Sequence, residues 1–154
     1  MDIVINILIS LIVGLIVVPL CMDSVNDFLV THLSGRFGTR KSDNLSGEWV
    51  QNWQVDGDDD ELEHQNPALT LFQLGQSLVG TFHFEKRTYR IRARIENSTY
   101  ISGTWFDEKK GQVYHGAFQA RIEVNQQEIN GKWIGFSKSH NIIKTGSWKW
   151  TRKN

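Results

Sequence analysis

Residues 129 to 136 read Ile-Asn-Gly-Lys-Trp-Ile-Gly-Phe, and one step inside them, a glycine two residues before a tryptophan, decides the fold. The same step stands at Gly47-Glu48-Trp49, Gly103-Thr104-Trp105 and Gly146-Ser147-Trp148, with phenylalanine versions at Gly80-Thr81-Phe82 and Gly116-Ala117-Phe118. Residues two apart on a strand share a face, so each copy sets a small residue beside a large ring on one side. The neighbours keep that parity. Trp53, Phe84, Ala120, Ile122, Val124, Ile129 and Trp150 fall with the rings. Glu48, His83, Ser102, Thr104, His115, Arg121, Lys132, Ser147 and Lys149 fall opposite, which makes one face apolar and the other wet.

From Leu45 onward period-two alternation dominates and no helical period of useful length intervenes. The pattern predicts strands over 45–54, 68–74, 77–85, 87–96, 99–107, 112–123, 127–136 and 141–152, with only 55–67 as a long connection. Short links join antiparallel neighbours, and eight sequential neighbours predict an all-β, up-and-down antiparallel barrel. Inward glycine suits such a barrel, because large rings facing a narrow lumen need small partners and sharply bent strands.

Ahead of the barrel, residues 3–22 are 20 residues without a charge. As a helix they span about 30 Å, the thickness of a bilayer's hydrocarbon core. The only charge before them is Asp2, and the exit Val18-Pro19-Leu20-Cys21 lacks the small residues a cleavage site needs. Residues 1–22 are therefore expected to form a single retained transmembrane helix. Arg36, Arg40 and Lys41 lie downstream and no Lys or Arg upstream, which predicts a single-pass inner-membrane protein with a cytoplasmic barrel. Asn6, Ser10 and Gly14 share one face of that helix, a stripe suited to helix–helix contact and homo-oligomer formation; an isolated helix tolerating a few weakly polar residues fits equally. Residues 23–44 read as a juxtamembrane helix and linker, with Val25, Phe28, Leu29, His32 and Leu33 at helical spacing. The barrel domain is 45–154.

Charge is uneven although it sums to zero. Residues 64–154 carry 14 Lys/Arg against 6 Asp/Glu, while 56–63 carry six acids and no base. A basic body attracts anions, and the mouth fed by 55–67 and the turns near 86, 108–111 and 138–140 gathers Lys86, Arg87, Lys109, Lys110, Lys138, His140 and Lys144. Rings expected there are Trp53, Phe84, Tyr89 and Tyr114, with Trp49 plugging the opposite end and Trp105 and Trp133 a little deeper. Rings that can stack on bases beside cations that can meet phosphate suit a phosphorylated, base-bearing ligand. The bland alternative is a set of solvated turn lysines. Arg90, Arg92 and Arg94 face outside if the apolar parity faces inside; a bulge would turn them into the lumen.

A strand opening on Gly-x-Trp, followed by a meander repeating Gly-Thr-Phe and Gly-Thr-Trp, resembles the calycin barrels of avidins and lipocalins. In layout, residues 3–22 followed by Leu45-Ser46-Gly47-Glu48-Trp49 and the meander are similar to the membrane-anchored β-barrel effectors of bacterial cyclic-oligonucleotide antiphage signalling (CBASS), although those have two spanning helices. The resemblance implies an antiphage effector. Its barrel would sense a cyclic di- or trinucleotide at Trp53, Lys86, Arg87, Tyr89, Arg90, Arg92, Lys109, Tyr114, Lys138 and Lys144, and would control clustering of the anchors and disruption of the inner-membrane lipid. Two other readings stand beside it: a membrane-tethered, lipocalin-like carrier of a small molecule, and a structural adaptor whose barrel is filled by its own rings.

Asp56, Asp58 and Asp60 alternate like calcium ligands, but Glu61 stands where that loop needs glycine and Pro67 where it needs glutamate. The five histidines lack metal-ligand spacing, and the single Cys21 supports no disulfide framework. No phosphate-binding glycine loop or nucleophile elbow is present. The sequence thus predicts a non-enzyme with no metal and no cofactor, the resemblance implying a cyclic nucleotide as regulatory ligand and no nucleic-acid polymer as partner.

Overall fold

The computed structural model describes residue 5 and residues 18–33, 44–57, 64–109, 114–137 and 142–153. Eight antiparallel strands, β1 (Gly47–Trp53), β2 (His64–Leu74), β3 (Ser77–Phe84), β4 (Arg87–Glu96), β5 (Tyr100–Asp107), β6 (His115–Ile122), β7 (Glu128–Ser137) and β8 (Ile142–Arg152), pair in sequence order. β8 returns to β1, with Trp49 opposite Arg152 and Trp53 opposite Trp148, and closes the barrel. Every predicted strand forms. The one substantial change is β2, which starts at His64 and takes in four residues expected in the long loop. Gln65 and His64 pair with Asn52 and Trp53, and a bulge opposite Val50–Asn52 absorbs Pro67, which has no N–H to give the ladder.

Parity holds. The lumen takes Trp49, Leu69, Leu71, Phe82, Ile91, Ile101, Phe118, Ile129, Trp148 and Trp150, all buried. Val124 is an exception: it sits in the β6–β7 turn, fully exposed, because the alternation ends with β6.

The glycines explain their own recurrence. A Cβ on Gly103 would meet Ala93 Cα at 2.7 Å, and one on Gly131 would meet Ala120 Cα at 2.6 Å, so neighbouring backbones approach too closely for a side chain. Gly116 and Gly135 are cross-strand partners on β6 and β7, and the Trp105 indole lies over both. The two Gly positions form the shelf on which that ring rests.

The end carrying the tight turns is sealed. Trp49 is fully buried, its Nε1–H donates to Leu45 O at 2.9 Å, and Arg152 lies over its ring at 4.9 Å. Behind it, Trp150, Trp148 and Phe118 pack edge to face or tilted at 5.2–5.5 Å between centroids. Trp148 Nε1–H donates to the buried Gln51 Oε1 at 3.0 Å. Trp105 and Trp133, expected near this plug, lie in the opposite half instead. Trp105 is two residues from the end of β5 at Asp107, and Trp133 pairs with Gly146 beneath Gln54.

A helix, α1 (Val18–Leu33), packs outside the barrel across β2 and β3. It runs through the expected boundary at residue 22 and docks before the expected linker; residues 34–43 lie outside the described residues. Asp27 and Val30 face the barrel and are buried, and Val79, outward by parity on β3, is buried beneath the helix. Asp27 accepts both Arg92 Nε–H (2.8 and 3.0 Å) and the second guanidinium nitrogen (2.7 Å). The stripe Met22, Val25, Phe28 and Leu29 is exposed and points away from the barrel. Among the described residues no helix is long and apolar enough to cross a membrane; of the expected span, only residue 5 and residues 18–22 are described, and Asn6, Ser10 and Gly14 lie outside them.

Candidate functional site

The half of the barrel away from the plug is not filled. It holds a cavity of about 140 Å³, open at the mouth and lined, among the described residues, by eight aromatic side chains: Trp53, Phe82, Phe84, Tyr89, Trp105, Tyr114, Trp133 and Trp148. They come from six strands and from the residue before β6. Phe82 and Trp148 make the floor, 6.2 Å apart and near perpendicular. Tyr89 stacks on Phe82 at 5.0 Å, and Trp53 meets Phe84 edge to face at 4.9 Å. Trp105 and Trp133 form the remaining wall at 6.1 Å, again near perpendicular. Such offset and edge-to-face pairs add about 0.5–1.5 kcal/mol each beyond the area they bury.

Polar groups are few and fixed. Trp133 Nε1–H donates to Gln54 O at 3.2 Å, which ties that wall to the chain leaving β1. Trp105 Nε1–H is buried without an acceptor among the described residues. Burial pushes the Tyr89 phenol above its ordinary value, so it is a neutral hydroxyl at physiological pH. At the rim, Arg87 lies over the Tyr114 ring at 4.9 Å and pairs with the buried Asp107 at 2.5 Å. Burial alone would raise the Asp107 carboxyl, but the Lys109 backbone N–H at 3.0 Å and Arg87 outweigh it and hold it below the ordinary value. The hydrogen bond to Asp107 in turn raises Arg87. This pair therefore locks Tyr114 and the start of β4 together as a charged brace.

Of the residues expected to hold a ligand, Trp53, Tyr89 and Tyr114 line the cup, and Arg87 braces its rim. Lys86 and Lys109 are exposed in turns at the same end, and Lys144 is half-buried on β8 opposite Gly135. Lys138 lies outside the described residues. Arg90 and Arg92 are on the outer wall. The β4 register is unbroken against both neighbours, so no bulge turns them inward. Arg90 pairs with Glu108 at 2.8 Å, and Arg92 holds α1 and lies over Phe106 at 4.9 Å. Asp56, considered as a metal ligand, instead accepts from Thr145 Oγ1 at 2.9 Å and Lys132 Nζ at 3.1 Å, and Thr145 is the main reason its carboxyl sits below the ordinary value.

Sequence reasoning missed Phe82, Trp105, Trp133 and Trp148 as cup residues. A usable signal existed: at about 3.3 Å per residue, counting from the mouth turns places Trp105 and Phe82 two residues below the rim.

No protein-family model and no curated protein matches the chain. Among solved structures, one described as EF1p2_mFAP2b bound to DFHBI matches with a TM-score of 0.48 and 8% identity, over 71% of this chain and 94% of that one.

Proposed function

We propose that this chain is a ligand-binding β-barrel of the calycin kind whose site is the aromatic cup, and that its ligand places one ring-sized apolar group there. The observation that carries the reading is an open cavity lined by eight rings at one end of a barrel whose other end is sealed. Volume sets the ligand's scale. About 140 Å³ is close to the roughly 150 Å³ apolar cavity that accepts benzene, and well under the roughly 300 Å³ at which whole drug-sized ligands are enclosed. One ring enters; any remainder stays at the mouth, where Lys86 and Lys109 are exposed. No catalytic step is assigned to the cup, whose lining among the described residues offers hydroxyl and indole N–H groups but no carboxylate, imidazole or thiol.

The tether is proposed as well: residues 3–22 hold the barrel at the inner membrane on the cytoplasmic side, as hydropathy and flanking charge suggest. The antiphage reading is the second candidate, and one feature favours it. A nucleobase is a ring of suitable size, and a cyclic oligonucleotide entering by one base would leave its phosphates beside Lys86, Lys109 and Lys144. Its full ring of bases and sugars does not fit within about 140 Å³, so it would bind mostly at the mouth.

Thermal unfolding of the full chain against indole, naphthalene and a panel of cyclic di- and trinucleotides separates the two. A ligand at 100 times its Kd stabilises by about 2.7 kcal/mol. The primary reading expects a rise in Tm with indole. A rise with a cyclic nucleotide alone transfers the conclusion to the second, and no rise with any member removes both.

A further inference from the structure

We infer that the free face of α1 lies in the interfacial layer of the bilayer, which fixes the β2–β4 flank of the barrel against the membrane surface. This rests on the proposed tether and goes beyond it, because a tether alone leaves the barrel's orientation open.

Two faces of α1 have opposite fates. Asp27 and Val30 point into the barrel and are buried. Met22, Val25, Phe28 and Leu29 are 65, 51, 60 and 39% exposed. At about 100° per residue they fall within roughly 120° of arc on the side opposite Asp27 and Val30. Four neighbouring large apolar side chains over two turns form a patch, and a patch of this kind marks a contact surface.

The chain itself indicates what covers it. Residues 3–22 are uncharged, and the last five of them belong to α1, so the apolar segment passes into the docked helix without a break. Met22 and Asp27 are five residues apart, about 7.5 Å along the axis. The headgroup layer on each side of the hydrocarbon core is roughly 5–8 Å thick. A span ending near Met22 therefore delivers the Asp27–Arg92 clamp to the outer edge of that layer. Val25 falls inside it, and a tilt of α1 brings Phe28 and Leu29 in as well. Charge agrees: Arg36, Arg40 and Lys41 follow the helix in sequence, and each Lys or Arg near an anionic surface contributes about 1 kcal/mol. Arg92 neutralises Asp27, so no unpaired carboxylate of the clamp faces the lipid.

Depth measurement tests this on the full chain, with Cys21→Ser, in vesicles of phosphatidylcholine and phosphatidylglycerol. An environment-sensitive fluorophore is placed through Phe28→Cys, and separately through Ile134→Cys on β7, across the barrel from α1. Leu29→Cys serves if the Phe28 variant misfolds. The inference expects co-flotation with vesicles, blue-shifted emission at position 28 with quenching by headgroup nitroxide lipid, and neither effect at 134. Co-flotation with water-like emission at 28 leaves the tether standing and overturns the inference. So does blue-shifted emission that lipid nitroxide cannot quench, which would place a second copy or another part of the chain on the face. Failure to co-float removes the tether and the inference together.

Discussion

Replacing Gly135 with alanine tests the link between the glycine repeat and the cup. Gly135 has backbone angles that any residue adopts, so only packing opposes a side chain there. A Cβ would stand far inside van der Waals contact with Trp105 Cζ2, 3.0 Å from Cη2 and 3.3 Å from His115 O. Normal carbon contacts begin near 3.5 Å, so the indole must retreat by about 0.5 Å at Cη2 and by more at Cζ2. Its other face looks into the cavity, and the cavity shrinks by that movement. Overpacking of this size costs about 1–3 kcal/mol, and alanine in place of a strand glycine returns about 0.5–1 kcal/mol. The net, about 0–2.5 kcal/mol, lowers Tm by up to roughly 10 °C. Losing a methylene's worth of room from an apolar pocket weakens binding by about 1–3 kcal/mol, or roughly 5- to 150-fold. Calorimetric titration of indole and a thermal melt read both effects, and Trp105→Phe added to Gly135→Ala should restore part of each. Unchanged Tm and unchanged indole affinity in the single variant would mean that Trp105 does not rest on Gly135, and the account of the shelf would fail.

Asp107 has a depressed pKa in the folded state, so its pairing with Arg87 stabilises the fold fully above about pH 4, the ordinary carboxylate value, and is lost as pH falls below it through the folded value. Urea unfolding of Asp107→Asn should show a flatter pH dependence in that acidic window than the parent chain. Trp49→Phe removes the N–H to Leu45 O at the plug and should cost about 1–3 kcal/mol in a melt, while indole affinity of the folded protein stays within twofold because Trp150 and Phe118 lie between the plug and Trp148 on the floor of the cup. Asp27→Ala breaks the α1 clamp. Arg92 is partly exposed and keeps its contact with Phe106, so hydrogen exchange should quicken along α1 with little change in the strands.

The barrel was legible because its signal is local and repeated. Alternation fixes the face of each residue, and short links fix the neighbours, so strand order and lumen composition follow from the sequence. The cup was half legible. Trp53, Tyr89 and Tyr114 stand next to mouth turns, where position along the strand is hard to mistake. Trp105 and Trp133 carry the same Gly-x-Trp signature as Trp49, and the repeat alone does not say which end each ring occupies. Charge misled most. Arg90 and Arg92 sit beside Tyr89 in sequence, yet parity sends them to the outer wall, where each finds a carboxylate from a segment far along the chain: Glu108 for one, Asp27 for the other. Spacing of 18 and 65 residues leaves no local trace. What the sequence does not reveal about α1 is that its polar side docks on β2 and β3 through Asp27, because the partner that Arg92 offers lies 65 residues away.

The chain has six tryptophans, each with an indole N–H that can be followed separately by heteronuclear NMR. Four line the cup, and Trp49 and Trp150 belong to the sealed end. Titration with indole should move the signals of Trp53, Trp105, Trp133 and Trp148 saturably and leave Trp49 and Trp150 in place. Movement of none, or of all six alike, would contradict the assignment of the cup as the binding site.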